Sequence, residues 1–331
     1  MRNRMFGEVL SFVDDLAASL DSVIPFDRID PSDVILCGMG GSAIGGDLVA
    51  RTFSDRIGVP VTVNRTPALP NWVSENTLAV ILSYSGNTSE TLSMYRQALE
   101  TGCRRICITS GGELVWKAGS VGDPVVLLPE GIQPRSSLGY VYGYLTSILG
   151  TALGTDFTQD VRDALPGLRR TATAMDGGQA RRIAEAIGNK VPVIFSGQML
   201  YPTAFRWKTQ FNENSKSMAF SGSVPDLNHD SVVGWSSPDA LESFHPIFIR
   251  EEGADERALE KAIEELVGFG FEPTVVYATG HTLPERMLNA VIIGDQVSVH
   301  LADLRGADPL EVDRIKELKG MVAQRMGTVR S

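Results

Sequence analysis

Two short segments of this 331-residue chain carry residue types that suit an anion. Gly38-Met-Gly-Gly-Ser-Ala-Ile-Gly-Gly-Asp47 follows an apolar run, Val34-Ile-Leu-Cys37, and opens a stretch of helical character. Glycines let the backbone turn sharply and approach a ligand, and a helix N-terminus offers unpaired N–H groups to negative charge. The second segment, Ser83-Tyr-Ser-Gly-Asn-Thr-Ser-Glu-Thr91, also lies between an apolar run and a helical stretch. Its hydroxyls and N–H groups suit the oxygens of a terminal phosphate. Strand–helix packing in the first segment and helix capping in the second would use the same residue types. Two such loops in one chain favour phosphate. No Gly-Lys-Ser/Thr follows either loop, which excludes a P-loop.

Gly38-x-Gly40-x-x-Ala43 also fits a dinucleotide fingerprint in its Gly/Ala form. That fingerprint expects an acidic residue at the end of the second strand, where Asn64-Arg65 stands. NAD is therefore disfavoured, and Arg65 leaves an NADP-dependent oxidoreductase as a rival.

Three further residues have chemistry to offer. Glu213, in Phe211-Asn-Glu-Asn-Ser-Lys216, is a carboxylate that could move a proton at carbon. His229, in Pro225-Asp-Leu-Asn-His-Asp230, carries an imidazole, the group suited to proton exchange with oxygen near neutral pH. Arg135, directly after Pro134, brings a permanent positive charge that could stabilise an oxyanion. By residue type alone, each also fits a plain structural role: a solvated glutamate near a helix end, a loop histidine, an arginine flanking a helix.

The segments taken together are more specific. The glycine and serine loops resemble the ligand loops of a sugar isomerase (SIS) domain, which implies Gly41, Ser42, Ser83, Ser85 and Thr88 as the phosphate ligands. With Pro129-Glu-Gly131, Pro134-Arg-Ser-Ser-Leu-Gly-Tyr140, Asn212-Glu-Asn-Ser-Lys216 and Asn228-His-Asp230, the chain resembles the bifunctional phosphoglucose/phosphomannose isomerases, part of the phosphoglucose isomerase superfamily. The resemblance runs from about residue 30 to residue 320. It implies interconversion of glucose 6-phosphate and fructose 6-phosphate, and also of mannose 6-phosphate, through a cis-enediol, with no metal or cofactor. It assigns Glu213 as the base at carbon, Arg135 to the enediolate charge and His229 to ring opening, reaching the other subunit of a homodimer. An active-site lysine belongs in the C-terminal helix, where Lys319 aligns better than Lys316. Val312 stands where the family has a threonine linked to tolerance of the mannose epimer. A non-catalytic sugar-phosphate-binding SIS protein and an SIS enzyme acting on amino-sugar phosphates are the alternatives.

These residues need elements to hold them. Apolar runs at Val34 to Cys37, Val61 to Val63, Leu78 to Leu82, Ile106 to Ile108 and Val125 to Leu128 alternate with helical stretches such as Ala43 to Phe53 and Thr88 to Glu100. Short strands apolar on both faces, separated by helices, predict a parallel sheet covered on both sides. A second round follows the Pro/Gly/polar region from Thr155 to Gly178, with strands at Val191 to Phe195, His245 to Ile249 and Val275 to Tyr277. Val34-Ile-Leu-Cys-Gly38 and Val193-Ile-Phe-Ser-Gly197 suggest two similar halves. The expected fold is α/β, with two SIS-type domains, each a parallel sheet flanked by helices. The first spans residues 1–154 with a leading helix, whose apolar face is Phe12, Val13, Leu16, Leu20 and Val23; the second spans 155–331.

Composition agrees with a chain that buries a large core: 43% of residues are apolar and 21% charged. A net charge of -10 argues against nucleic acid. Cys37, Cys103 and Cys107 form an odd set without metal-ligand spacing, which suits reduced thiols, and the opening residues lack the apolar run of a secretory signal. A cytoplasmic location is expected. Ser136 to Thr155 carries no charge, but its tyrosines, glycines and hydroxyls favour a buried or interface helix over a membrane span. With the cross-subunit histidine, that stretch supports the expectation of a homodimer.

Overall fold

The computed structural model describes residues 4–251, 253, 255–315, 317, 318, 320 and 321. Strand β1 (Asp33–Gly38) is the centre of the first sheet, and its Val34, Ile35, Leu36 and Cys37 are buried. It pairs in parallel with β2 (Val61–Asn64) on one side and β3 (Thr77–Leu82) on the other, placing Cys37 opposite Asn64 and Ile81. Strands β4 (Arg104–Thr109) and β5 (Val125–Leu127) extend the sheet to the order β2-β1-β3-β4-β5. The chain reverses its direction of growth between β1 and β3. A doubly wound sheet opens a crevice at such a switch point, beyond the carboxyl ends of the strands.

The second sheet repeats the scheme with four parallel strands. They are β6 (Val191–Gly197), β7 (Phe220–Val224), β8 (Phe244–Arg250) and β9 (Thr274–Tyr277), in the order β7-β6-β8-β9. Strand β6 thus holds the place that β1 has in the first sheet, as the Val-Ile-x-x-Gly likeness suggested.

Helices α1 (Arg4–Leu10) and α2 (Phe12–Leu20) lead the chain. Around the first sheet lie α3 (Gly41–Thr52), α4 (Ser89–Thr101) and α5 (Gly112–Val121); α6 (Leu138–Leu153), α7 (Thr158–Ala174) and α8 (Ala180–Ile187) lead to the second. There α9 (Tyr201–Asn214) connects β6 to β7, and the short α10 (Asp226–His229), α11 (Val232–Trp235) and α12 (Pro238–Ser243) connect β7 to β8. Helix α13 (Glu256–Gly268) precedes β9, and α14 (Leu283–Leu304) follows it. One hydrophobic core runs through both halves, from Leu36 and Leu82 through Tyr142 and Trp207 to Ile249 and Val291.

Two expectations need correction. Val23 is 91% exposed and outside the leading helices, because Pro25 disfavours helical backbone before it and α2 stops at Leu20. The region from Thr155 to Gly178 is mostly helix α7. Val161, Ala164 and Leu168 give it a buried face despite Pro166. The uncharged stretch after Arg135 is α6, a buried helix as one of the two expected forms, covered within the chain by α2 and α3. Among the described residues, no helix is long and apolar enough to cross a membrane. All three cysteines are buried and unpaired.

Candidate active site

Both anion-type loops leave the switch point of the first sheet. The glycine loop follows β1 and the serine loop follows β3, and the strand ends Gly38 and Leu82 are register partners. Gly40 adopts φ +54°, and Gly41 begins α3, so the loop backbone faces the crevice at a helix N-terminus. In the serine loop, Ser83 is buried and its hydroxyl lies 3.2 Å from that of Thr88. Ser85 is exposed, and its Oγ accepts from the Asn87 N–H at 3.3 Å. Gly86 at φ +65° turns the loop where a β-carbon would sit 1.8 Å from the Gly111 carbonyl oxygen, so only glycine fits. Ser42, half-buried in the first turn of α3, completes the group.

Arg135 enters this crevice from the 3₁₀ turn Pro134–Ser137, where Pro134 fixes the first turn. A β-carbon on Gly41 would lie 3.4 Å from Arg135 Cα, so the anion loop packs directly on this turn. The arginine is buried, and each guanidinium nitrogen has a partner. Nε donates to Asn214 Oδ1 at 2.7 Å, Nη1 to Gln133 Oε1 at 3.2 Å, and Nη2 to the Pro309 carbonyl. Nη1 also lies 3.5 Å from Glu213 Oε2. Burial pulls the guanidinium below its ordinary affinity for a proton, with Glu213 opposing that shift. An arginine stays charged regardless, so an anion arriving beside it is strongly favoured.

Glu213 sits on the last turn of α9 with its side chain 31% exposed. It can therefore meet a small molecule on one side while facing Arg135 on the other. Lys216, at φ +50°, folds back to donate to the Glu213 carbonyl at 2.7 Å and the Asp308 carbonyl at 2.6 Å. Burial lowers its proton affinity. Arg135 and Lys216 together hold the Asp308–Pro309 segment beside the site. Lys319 and Lys316, further along, lie outside the described residues.

Sequence reasoning missed two supports. Tyr84 Oη donates to the Pro129 carbonyl at 2.9 Å and accepts from Ile132 N–H at 3.1 Å, tying the serine loop to the segment that leads into Arg135. Glu8 of α1 accepts from the Gln133 N–H at 2.9 Å. A tyrosine between two serines in a ligand loop was the only sequence signal for the first. Arg65 is ion-paired with Asp47 of α3, so the arginine of the NADP rival is already engaged.

His229 stands apart. Helix α9 runs back along the sheet, so Glu213 lies near the start of β7, while His229 follows its end. Roughly 15 Å of strand separates the two positions within one chain. His229 is exposed at the end of α10. A single protomer brings together Glu213, Arg135 and the anion loops, and leaves this histidine at the far edge.

Known proteins resemble this chain over most of its length. Residues 29–121 match the SIS domain family, and residues 177–322 match the bacterial phospho-glucose isomerase C-terminal SIS domain. A bifunctional phosphoglucose/phosphomannose isomerase of Aquifex aeolicus is 33% identical over 293 residues, covering 86% of this chain and 89% of its own. The chain belongs to the bifunctional phosphoglucose/phosphomannose isomerase family. A D-glucosamine-6-phosphate 4-epimerase of Sulfolobus acidocaldarius is 32% identical over 269 residues, 81% of this chain and 84% of that one. Among solved structures, the C-terminal domain of a glucosamine-fructose-6-phosphate aminotransferase from Francisella tularensis superposes with TM-score 0.75. It is 16% identical, covering 93% of this chain and 98% of its own, a likeness of fold. The match to the isomerase family spans both sheets, and so includes the turn of Arg135 and the helix end of Glu213.

Proposed function

We propose that this family member interconverts glucose 6-phosphate and fructose 6-phosphate, and also mannose 6-phosphate, by proton transfer through a cis-enediol. The observation that carries this is the approach of Glu213 to Arg135 at 3.5 Å, with Arg135 packed against Gly41 of the anion loop. The Gly41 backbone, Ser42, Ser83, Ser85 and Thr88 hold the phosphate. Glu213 takes the proton from C2 and returns it to C1, while the Arg135 guanidinium held beside it faces the oxyanion. One carbon is oxidised as its neighbour is reduced, so the reaction balances without an external oxidant.

Ring opening falls to His229 of a second copy, assisted by Lys319, because strand β7 holds that histidine away from its own Glu213. The working form is then a homodimer, acting in the cytoplasm on the hexose phosphates shared by glycolysis and gluconeogenesis. Mixing Glu213→Gln and His229→Ala subunits tests this. Half of the random dimers would regain one intact site, restoring about a quarter of the parent activity. No recovery on mixing would exclude sharing.

The direct test is Glu213→Gln in a coupled isomerase assay. Turnover falls by at least ~10²-fold with KM broadly unchanged. Near-parental turnover removes Glu213 from the role. The Sulfolobus relative supports a second reading, action on an amino-sugar phosphate. The same assay series with glucosamine 6-phosphate decides between them, the isomerase reading requiring turnover of glucose 6-phosphate.

A further inference from the structure

Helices α9 and α14 bury an ion pair in the middle of their apolar contact. Arg206 is 1% exposed and Asp295 is 5% exposed, and they meet in two bonds, Nε to Oδ1 at 2.9 Å and Nη2 to Oδ2 at 2.6 Å. Gln210 Nε2 adds a third donor to Asp295 at 2.9 Å. Removing two charges from water is costly, and well-packed apolar side chains often replace such pairs without loss of stability. Stability alone is therefore a poor reason for this pair.

Its contacts supply a better one. Arg206 Nη2 also donates to the Arg135 carbonyl at 3.0 Å. On the other side, the Asp295 carbonyl accepts from Ser298 Oγ at 2.6 Å, and Ser298 Oγ accepts from Asn214 Nδ2 at 2.8 Å. Asn214 Oδ1 then accepts from Arg135 Nε at 2.7 Å. The chain of bonds starts at the backbone of Arg135 and returns to its guanidinium. Asn214 neighbours Glu213, so the same ring fixes both partners across the 3.5 Å gap.

We propose that the buried Arg206–Asp295 pair, closed through Ser298 and Asn214, is a positioning device that aims the Arg135 guanidinium at the oxyanion beside Glu213. The proposal rests on Arg135 serving the enediolate, as argued above. Arg206 and Asp295 do not touch the substrate; they act through Arg135. A pair that merely joined α9 to α14 would affect stability and leave the chemistry of Arg135 alone.

The test is a mutant cycle in the full-length protein. Arg206→Met with Asp295→Leu replaces the pair by apolar side chains and is expected to fold with a thermal midpoint near the parent's. With Arg135 present, kcat should fall ~10-fold or more while KM changes less than ~2-fold. With Arg135→Lys, which cannot be held at Nε, the same replacement should cost less than ~2-fold further. Unchanged kcat, or an equal loss in both backgrounds, overturns the proposal. If the replaced pair does not fold, Ser298→Ala opens the ring by removing one hydroxyl. It should lower kcat several-fold only when Arg135 is present, and an equal loss in both backgrounds again overturns the device. Arg135→Gln separates the two levels: parental kcat in that variant rejects the role of Arg135 itself. A large loss there with no effect of the pair rejects the ring alone.

Discussion

Strands β1 and β6 hold the same place in their sheets, yet the turns that follow them carry opposite chemistry. After β1, glycines and serines leave the crevice lined with N–H groups and hydroxyls. After β6, Asp255 fills the corresponding place. Its Oδ2 accepts from the Gln198 N–H at 2.8 Å, and a β-carbon on Gly197 would approach it to 2.7 Å. Gln198 Nε2 donates to Ser223 Oγ at 3.1 Å, and Ser223 Oγ donates to Asp226 at 2.7 Å. The protein supplies its own anions there. What the first crevice leaves open, the second spends on fastening α10, the turn that ends in His229. A repeated fold thus gives two uses of one strand–helix junction: one open to a ligand, one closed by carboxylates.

The sharpest way to break the contrast is to give the first crevice the second one's charge. Ser42→Asp should raise KM for the sugar phosphate at least ~10²-fold, because two negative charges at contact distance repel by several kcal/mol. An unchanged KM would mean that the phosphate binds elsewhere.

A second difference appears in acid. His245, at the start of β8, is buried with Nε2 2.7 Å from Thr274 Oγ1. Burial, then the charge of Lys190, depresses its pKa from 6.5 to about 4. The unfolded chain binds this proton at higher pH than the fold does. The second half therefore keeps this contribution above pH 6.5 and loses it as pH falls toward 4, about 3 kcal/mol in all. His245→Gln should flatten the pH dependence of urea unfolding across that window, and a parental slope would count against it.

Asp255→Ala probes the closed crevice directly. It should lower stability by about 1 kcal/mol, with KM for the sugar phosphate unchanged. A rise in KM would show that the two crevices are not separate. The smallest effect concerns the sugar. Val312→Thr should raise kcat/KM for mannose 6-phosphate a few-fold relative to glucose 6-phosphate, since the two epimers differ in the direction of a single hydroxyl. An unchanged ratio would show that position 312 does not read the epimer.

Every strand that periodicity proposed exists within a residue or two, because runs such as Val34 to Cys37 are apolar on both faces and buried on both. The glycine and serine loops were equally legible as strand–helix turns, since their glycines and hydroxyls are local. Helix α7 was not, because Pro166 and Gly167 read as loop residues while packing on α2 and α14 decides the matter. The ring around Arg135 is beyond local inspection. It joins residues 135, 206, 214, 295 and 298 from three segments. Its one sequence trace is a charge set in each of two apolar helices, Arg206 near Trp207 and Asp295 near Ile293, where an unpaired charge would be costly.

The segment that follows α14 approaches the site at Asp308 and Pro309, and what Lys216 and Arg135 grasp there are main-chain oxygens. Such oxygens belong to every amino acid. A substitution at residue 308 or 309 therefore leaves both acceptors in place, whereas loss of one cation removes one of the two bonds. The hold thus depends on the side chains of Lys216 and Arg135, and on the backbone of the strap they grasp.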